Sequence, residues 1–157
     1  MGGKCYIELL KMKIGCDIGG VLKEMISDEP IVDALETIRK LVELKHQIIL
    51  ISKCKEGYRT YIQEWLKEHK LDNLEVYYCD EYGEKIDIGM KEKIDVMIDD
   101  KIQVLNSFER NRDIKKIWFC CDSKKINGAK KYQSELLKNI FIAGDWKIVF
   151  EIICIKN

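Results

Sequence analysis

The stretch KIGCDIGGVLKE, residues 13–24, runs apolar as far as Cys16, meets an acid at Asp17, and then loses its side chains at Gly19 and Gly20. An apolar run that stops on a carboxylate reads as a buried strand presenting an acid at its tip. The two glycines leave main-chain groups bare, so a carbonyl or an amide can approach a ligand closely. Outward from this stretch, the first strand extends over KMKIGC (11–16), and four more apolar runs have strand length: QIILIS (47–52), LEVYYC (74–79), IDVMID (94–99) and IKKIWFCC (114–121). Their nearly continuous hydrophobicity suits strands covered on both faces.

Helical patterns separate these runs. DEPIVDALETIRKLVELK (28–45) opens on acids and the sole proline, Pro30, both helix-start signals. Its residues Ile31, Ala34, Leu35, Ile38, Leu41 and Val42 fall on one face. GYRTYIQEWLKEHK (57–70) repeats the pattern, EKIDIGMKEK (84–93) and DKIQVLNSFER (100–110) are shorter, and AGDWKIVFEII (143–153) reads as a closing helix. Strand–helix alternation predicts an α/β fold: a Rossmann-like, three-layer α/β/α sandwich on a central parallel sheet of about five strands. With 157 residues and no linker or repeat, a single domain over 1–157 is expected.

Composition excludes several classes. Basic and acidic residues number 27 each, so no net field draws the chain to nucleic acid or membrane. The apolar runs are too short for a transmembrane span, and the first residues carry no signal-peptide pattern. Seven cysteines without a C-x-x-C pair, several of them ending apolar runs, read as reduced buried thiols in a cytoplasmic protein. With only His46 and His69 beside them, a zinc site is not expected. The lysines at 124, 125, 130 and 131 read as a solvated face, and Trp65, Trp118 and Trp146 as core aromatics.

Ligands of open parallel sheets sit outside the carboxyl ends of the strands. There the first strand delivers Asp17, the second Ser52, and the fourth Asp99 with Asp100, while Lys85 opens the helix before the fourth strand. Singly, these have ordinary readings: Asp17 in a turn, Asp99 and Asp100 as helix caps, Ser52 as a turn hydroxyl. Together they suit a phosphate. Clustered carboxylates repel unless a cation sits among them, and oxygen ligands favour Mg²⁺. Ser52 and Lys85 can bind phosphoryl oxygens, and Asp17 can attack phosphorus.

CDIGGVL, LIS, Lys85 and MIDD, in this order and at these strand ends, resemble the four motifs of the haloacid dehalogenase-like superfamily over roughly residues 11–121. The resemblance implies a Mg²⁺-dependent phosphatase with Asp17 as nucleophile, Ser52 as phosphate ligand and Lys85 as neutralising cation. It makes Asp17, Ser52 and Lys85 the catalytic set, and groups Gly20 with Ser52 and Lys85 as phosphate-binding. It places Asp17, the main-chain oxygen of Gly19, and Asp100 on the metal, with Asp99 on it or behind it. Lys91 and Lys93 are rival lysines, but they fall at the far end of their helix.

One position departs from the family pattern. A D-x-D pair is usual, its second acid protonating the leaving oxygen and later activating water, and here that place is Gly19. Glu24 and Asp28 are the nearest substitutes. The expectation is a weak or specialised phosphatase, with an inactive phosphate- or partner-binding domain as the alternative. Too few residues separate Gly20 from Pro30 for a helical cap. An open site follows, suited to a phosphorylated small molecule or to a phosphate exposed on a macromolecule, or covered by a second subunit of a homo-oligomer.

Overall fold

The computed structural model describes residues 10–108 and 113–154. Six strands alternate with six helices: β1 (Lys13–Cys16), α1 (Ala34–Glu43), β2 (Gln47–Lys53), α2 (Glu56–Glu68), β3 (Glu75–Cys79), α3 (Glu84–Glu92), β4 (Val96–Asp99), α4 (Ile102–Ser107), β5 (Lys115–Phe119), α5 (Ser123–Tyr132), β6 (Ile140–Ala143) and α6 (Trp146–Cys154). All pairings are parallel, in the order β3-β2-β1-β4-β5-β6. Among the described residues no helix is long and apolar enough to cross a membrane.

The strand period of two divides the core into two layers. Ile14 and Cys16 of β1, Ile48 and Leu50 of β2, and Val96 and Ile98 of β4 pack with apolar residues of α1, α2 and α6. Ile49, Ile51 and Met97 point the other way, to the side covered by α3, α4 and α5. Gly15 lets this second layer close onto β1: a Cβ there would stand 3.0 Å from both Ile94 and Met97 side chains. His46 follows α1, and its Nδ1 accepts the Met12 amide at 3.0 Å. This is a structural histidine.

Two expectations need correction. The sheet expected to hold about five strands has six, because Ile140–Ala143, outside the expected strand set, pairs with β5 at the far edge, and the closing helix expected from Ala143 begins at Trp146. Pro30 does not open α1; it bridges Lys23, while Ile31 N donates to Leu22 O and Glu24 N to Glu29 O. Residues 22–31 thus double back as a small hairpin, and α1 starts at Ala34 behind Asp33, whose φ is 65°. The C-terminal part of the helix expected over 100–110 lies outside the described residues.

The three tryptophans are buried, and each indole N–H donates to a main-chain carbonyl near the carboxyl edge of the sheet. Trp146 reaches Val21 O at 2.8 Å, Trp65 reaches Asp28 O at 2.7 Å, and Trp118 reaches Asp100 O at 3.0 Å. The first two pin the hairpin after Asp17, the third the turn after β4.

Candidate active site

From β1 the chain winds outward through β2 and β3, then crosses back to β4 on the opposite side of β1. The strand order therefore reverses between β1 and β4, and a crevice opens at their carboxyl ends. Asp17 and Asp99 flank it. Asp17 N donates to Ile98 O at 3.0 Å, which fastens the end of β1 to β4. Asp99 follows Met97 in the pleat and points to the α3 layer. Lys85, the second residue of α3, enters from that layer.

The Lys85 ammonium lies 2.9 Å from Asp99 Oδ2 and 3.3 Å from Asp17 Oδ1. Asp17 Oδ1 also accepts the Ile18 amide at 2.9 Å, and Asp99 Oδ1 accepts the Lys101 amide at 2.9 Å. The lysine side chain is 1% exposed and that of Asp99 0%, so these charges face little water. Burial pushes the Asp17 carboxyl well above its ordinary range; Asp99 adds to the rise and Lys85 opposes it. Burial likewise raises Asp99 against the pull of Lys85. Burial would lower Lys85, but the two carboxylates outweigh it and hold the ammonium above its usual value. Lys85 is a fixed cation. Lys85→Met would strand two buried carboxylates, and we expect a loss of about 3–5 kcal/mol of stability, read as a lower urea midpoint at neutral pH. An unchanged midpoint would show that water already screens the pair.

Asp100 completes the cluster. Its Oδ1 is buried without a hydrogen-bond partner, and one oxygen from each of Asp17, Asp99 and Asp100 lies within 4.8 Å of the others. Three converging carboxylates, one with an orphaned oxygen, fit a divalent cation with oxygen preference. Asp99 has both oxygens engaged by Lys85 and Lys101, which leaves Asp17 and Asp100 as the better donors. Gly20 makes room for this. Its φ is +79°, and a Cβ would fall 2.5 Å from Asp100 Oδ2. The amide of Gly20, a residue expected to contact phosphate, donates to Lys23 O at 2.8 Å. The residue clears space for Asp100.

Ser52 sits near the end of β2, paired with Tyr78 of β3. With Asp17, Gly19, Lys85 and Asp100 it lines one cleft of about 400 Å³. Between Gly20 and α1 only the small hairpin intervenes, so among the described residues no inserted helix covers this cleft.

No protein-family model matches the sequence, and no curated protein matches it. Solved structures do. D,D-heptose 1,7-bisphosphate phosphatase from B. bronchiseptica, complexed with magnesium and phosphate, superposes with a TM-score of 0.64 at 12% identity, over 89% of this chain and 97% of that one. The corresponding enzyme from Burkholderia thailandensis gives 0.63 at 15% identity, over 89% and 96%. An uncharacterized protein from Listeria monocytogenes serotype 4b gives 0.61 at 13%, over 90% and 96%. The chain has a haloacid dehalogenase-like fold. At these identities the likeness concerns the architecture.

Within this haloacid dehalogenase-like frame, the structure brings Asp17, Ser52, Lys85, Asp99 and Asp100 to one edge with Gly19 among them. It leaves Lys91 and Lys93 exposed at the end of α3. It also separates the two substitute acids. Asp28 accepts from the Tyr61 hydroxyl and lies 3.7 Å from the Lys23 ammonium, whereas Glu24 lines the cleft. Several cleft residues carried no sequence signal. Lys23, almost fully buried, donates to Glu24 O and Ser27 O, both at 3.1 Å, and so closes the hairpin on itself. Lys53, Lys55, Lys101 and Tyr82 line the outer cleft. Each is one lysine or tyrosine among many, and only their position singles them out.

Proposed function

We propose that this protein is a magnesium-dependent phosphohydrolase that cleaves a phosphomonoester through an aspartyl-phosphate on Asp17. The observation that carries the reading is the meeting of Asp17, Asp99, Asp100 and Lys85 where the strand order reverses, beneath an open cleft. The fold shared with a phosphatase complexed with magnesium and phosphate supports it.

Asp17, Asp100 and the Gly19 carbonyl would hold the cation, with Asp99 behind them orienting Lys85. Bound magnesium would withdraw electron density from the phosphoryl oxygens. The protein's own groups do the rest. Lys85 and the Ile18 amide fix Asp17 Oδ1, and Oδ2 accepts no hydrogen bond among the described residues. That second oxygen attacks phosphorus, and the ester P–O bond breaks with its electron pair on the leaving oxygen. Ser52 and Lys85 contact peripheral phosphoryl oxygens. The leaving oxygen takes a proton, and water later attacks the phosphorus of the acyl phosphate, releasing phosphate and restoring Asp17. Gly19 can neither give the first proton nor take the second, so Glu24 supplies that function from the cleft wall.

The substrate is a phosphorylated small molecule or a phosphate displayed on a larger one. Incubation with Mg²⁺ and a panel of phosphomonoesters should release phosphate, and chelation with EDTA should stop the release. No turnover on any substrate would reject the hydrolase. Gly19 favours a second reading, a domain that binds phosphate without turnover. Beryllium fluoride separates the two: an adduct on Asp17 reports a competent nucleophile, and its absence with Mg²⁺ present favours the binding domain.

A further inference from the structure

Three lysines of the cleft form no ion pair with a carboxylate among the described residues. Of the five that line it, Lys85 is held by Asp17 and Asp99, and Lys23 by two carbonyls of its own hairpin. Lys53, Lys55 and Lys101 have no carboxylate within 4 Å among the described residues, although the chain is neutral overall.

Lys53 and Lys101 are also gathered, while Lys55 lines the same cleft. The ammonium groups of Lys53 and Lys101 stand 4.5 Å and 5.7 Å from the centre of the Tyr82 ring, and Lys85 stands 5.8 Å from it. One aromatic ring therefore attracts three cations that repel one another. Two of them are fixed by sequence to the reaction centre. Lys53 follows Ser52 at the end of β2, and Lys101 follows Asp100, its amide bound to Asp99.

We propose that the substrate carries a second anionic group, a phosphate or a carboxylate, that binds Lys53, Lys55 and Lys101 beside Tyr82. This rests on the phosphohydrolase reading for the first phosphate. A transferring phosphoryl has three peripheral oxygens, and Ser52, Lys85 and the cation take them. The acids of the metal site are balanced by Lys85 and a divalent ion. The three outer lysines line the same cleft, and after the two negative charges of the first phosphate are counted one positive charge is still left over. Lys53 and Lys55 are exposed and Lys101 is half-buried; a second anion offsets their mutual repulsion and gains charge-assisted contacts.

The test compares 1,3-propanediol monophosphate, 1,3-propanediol bisphosphate and 3-phosphopropionate as Mg²⁺-dependent substrates. Contacts to charged groups discriminate by roughly 10- to 100-fold. We expect the bisphosphate or the phosphocarboxylate to exceed the monophosphate in kcat/KM by that factor, and whichever is preferred identifies the second group. Lys53→Gln with Lys101→Gln should bring the ratio close to one, whereas a merely structural role would lower all three substrates together and leave the ratio intact. Equal kcat/KM for all three in the wild-type protein would overturn the proposal. Calorimetric binding of propane-1,3-bisphosphonate against propylphosphonate, with Mg²⁺, is independent of turnover. Tighter binding of the bisphosphonate by a protein that hydrolyses none of the three esters would leave this inference standing and reject the hydrolase; equal binding would reject this inference alone.

Discussion

Asp17→Asn should abolish phosphate release while leaving the fold intact. The substitution keeps the shape of the side chain and its hydrogen bond to the Ile18 amide, but replaces the carboxylate proposed to attack phosphorus with an amide that cannot form an acyl phosphate. Removing a nucleophile that acts as part of a unit lowers kcat on the order of 10⁴-fold or more. The stability effect should run the other way. Asp17 is held protonation-prone by burial and by Asp99, so in metal-free protein a neutral side chain removes repulsion, and Lys85 keeps its 2.9 Å partner Asp99. The variant should therefore melt at or above the wild-type temperature in EDTA, and gain less from added Mg²⁺. Residual turnover within tenfold of wild type would show that Asp17 is not the nucleophile. A large drop in melting temperature would show that it serves the fold instead.

Gly19→Asp should increase activity. The position lines the cleft, and a Cβ there meets only the Met25 sulfur, at 3.2 Å. That atom is next to the end of a flexible, largely exposed side chain, so a small rotation admits the new residue. A positioned general acid–base contributes typically about 10²- to 10⁴-fold, and the gain should depend on the leaving group. Alkyl phosphates, whose alkoxide needs a proton, should speed up by at least about 10²-fold. An aryl phosphate such as p-nitrophenyl phosphate, whose leaving group departs as an anion, should change little. Glu24→Gln provides the counterpart. In the wild-type background it should slow alkyl phosphate turnover, and in the Gly19→Asp background it should have little effect. Equal acceleration of both substrate types would mean that Gly19→Asp acts by something other than proton transfer.

The site was legible in the sequence where a chemical group coincides with the end of an apolar run. Asp17, Ser52, Asp99 and Asp100 are such positions, because a parallel sheet places its strand ends on one edge. Lys85 could be ranked above Lys91 and Lys93 because only the first turn of α3 faces that edge. The features that escaped lack such a marker. β6 is four residues long, half-buried and preceded by a polar stretch, so its short apolar run does not announce a strand, and its last residue, Ala143, reads as the start of the helix that follows. The hairpin over 22–31 is polar through its tip, and Pro30, which bridges Lys23, imitates the start of a helix. Gly20 could be read as space for a ligand, but not that its amide belongs to Lys23 and its space to Asp100. Lys53 and Lys101 belong to no period or motif, and their convergence on Tyr82 exists only once the strands are assembled.

The arrangement of the indoles gives this protein a built-in optical probe. Every tryptophan it possesses is tethered to the backbone of either the segment that follows Asp17 or the turn bearing Asp100. No fourth indole contributes background emission from a remote surface. A shift of either segment when a cation or a substrate arrives changes the surroundings of the chromophores directly, so occupancy can be followed by ultraviolet emission in the unlabelled molecule.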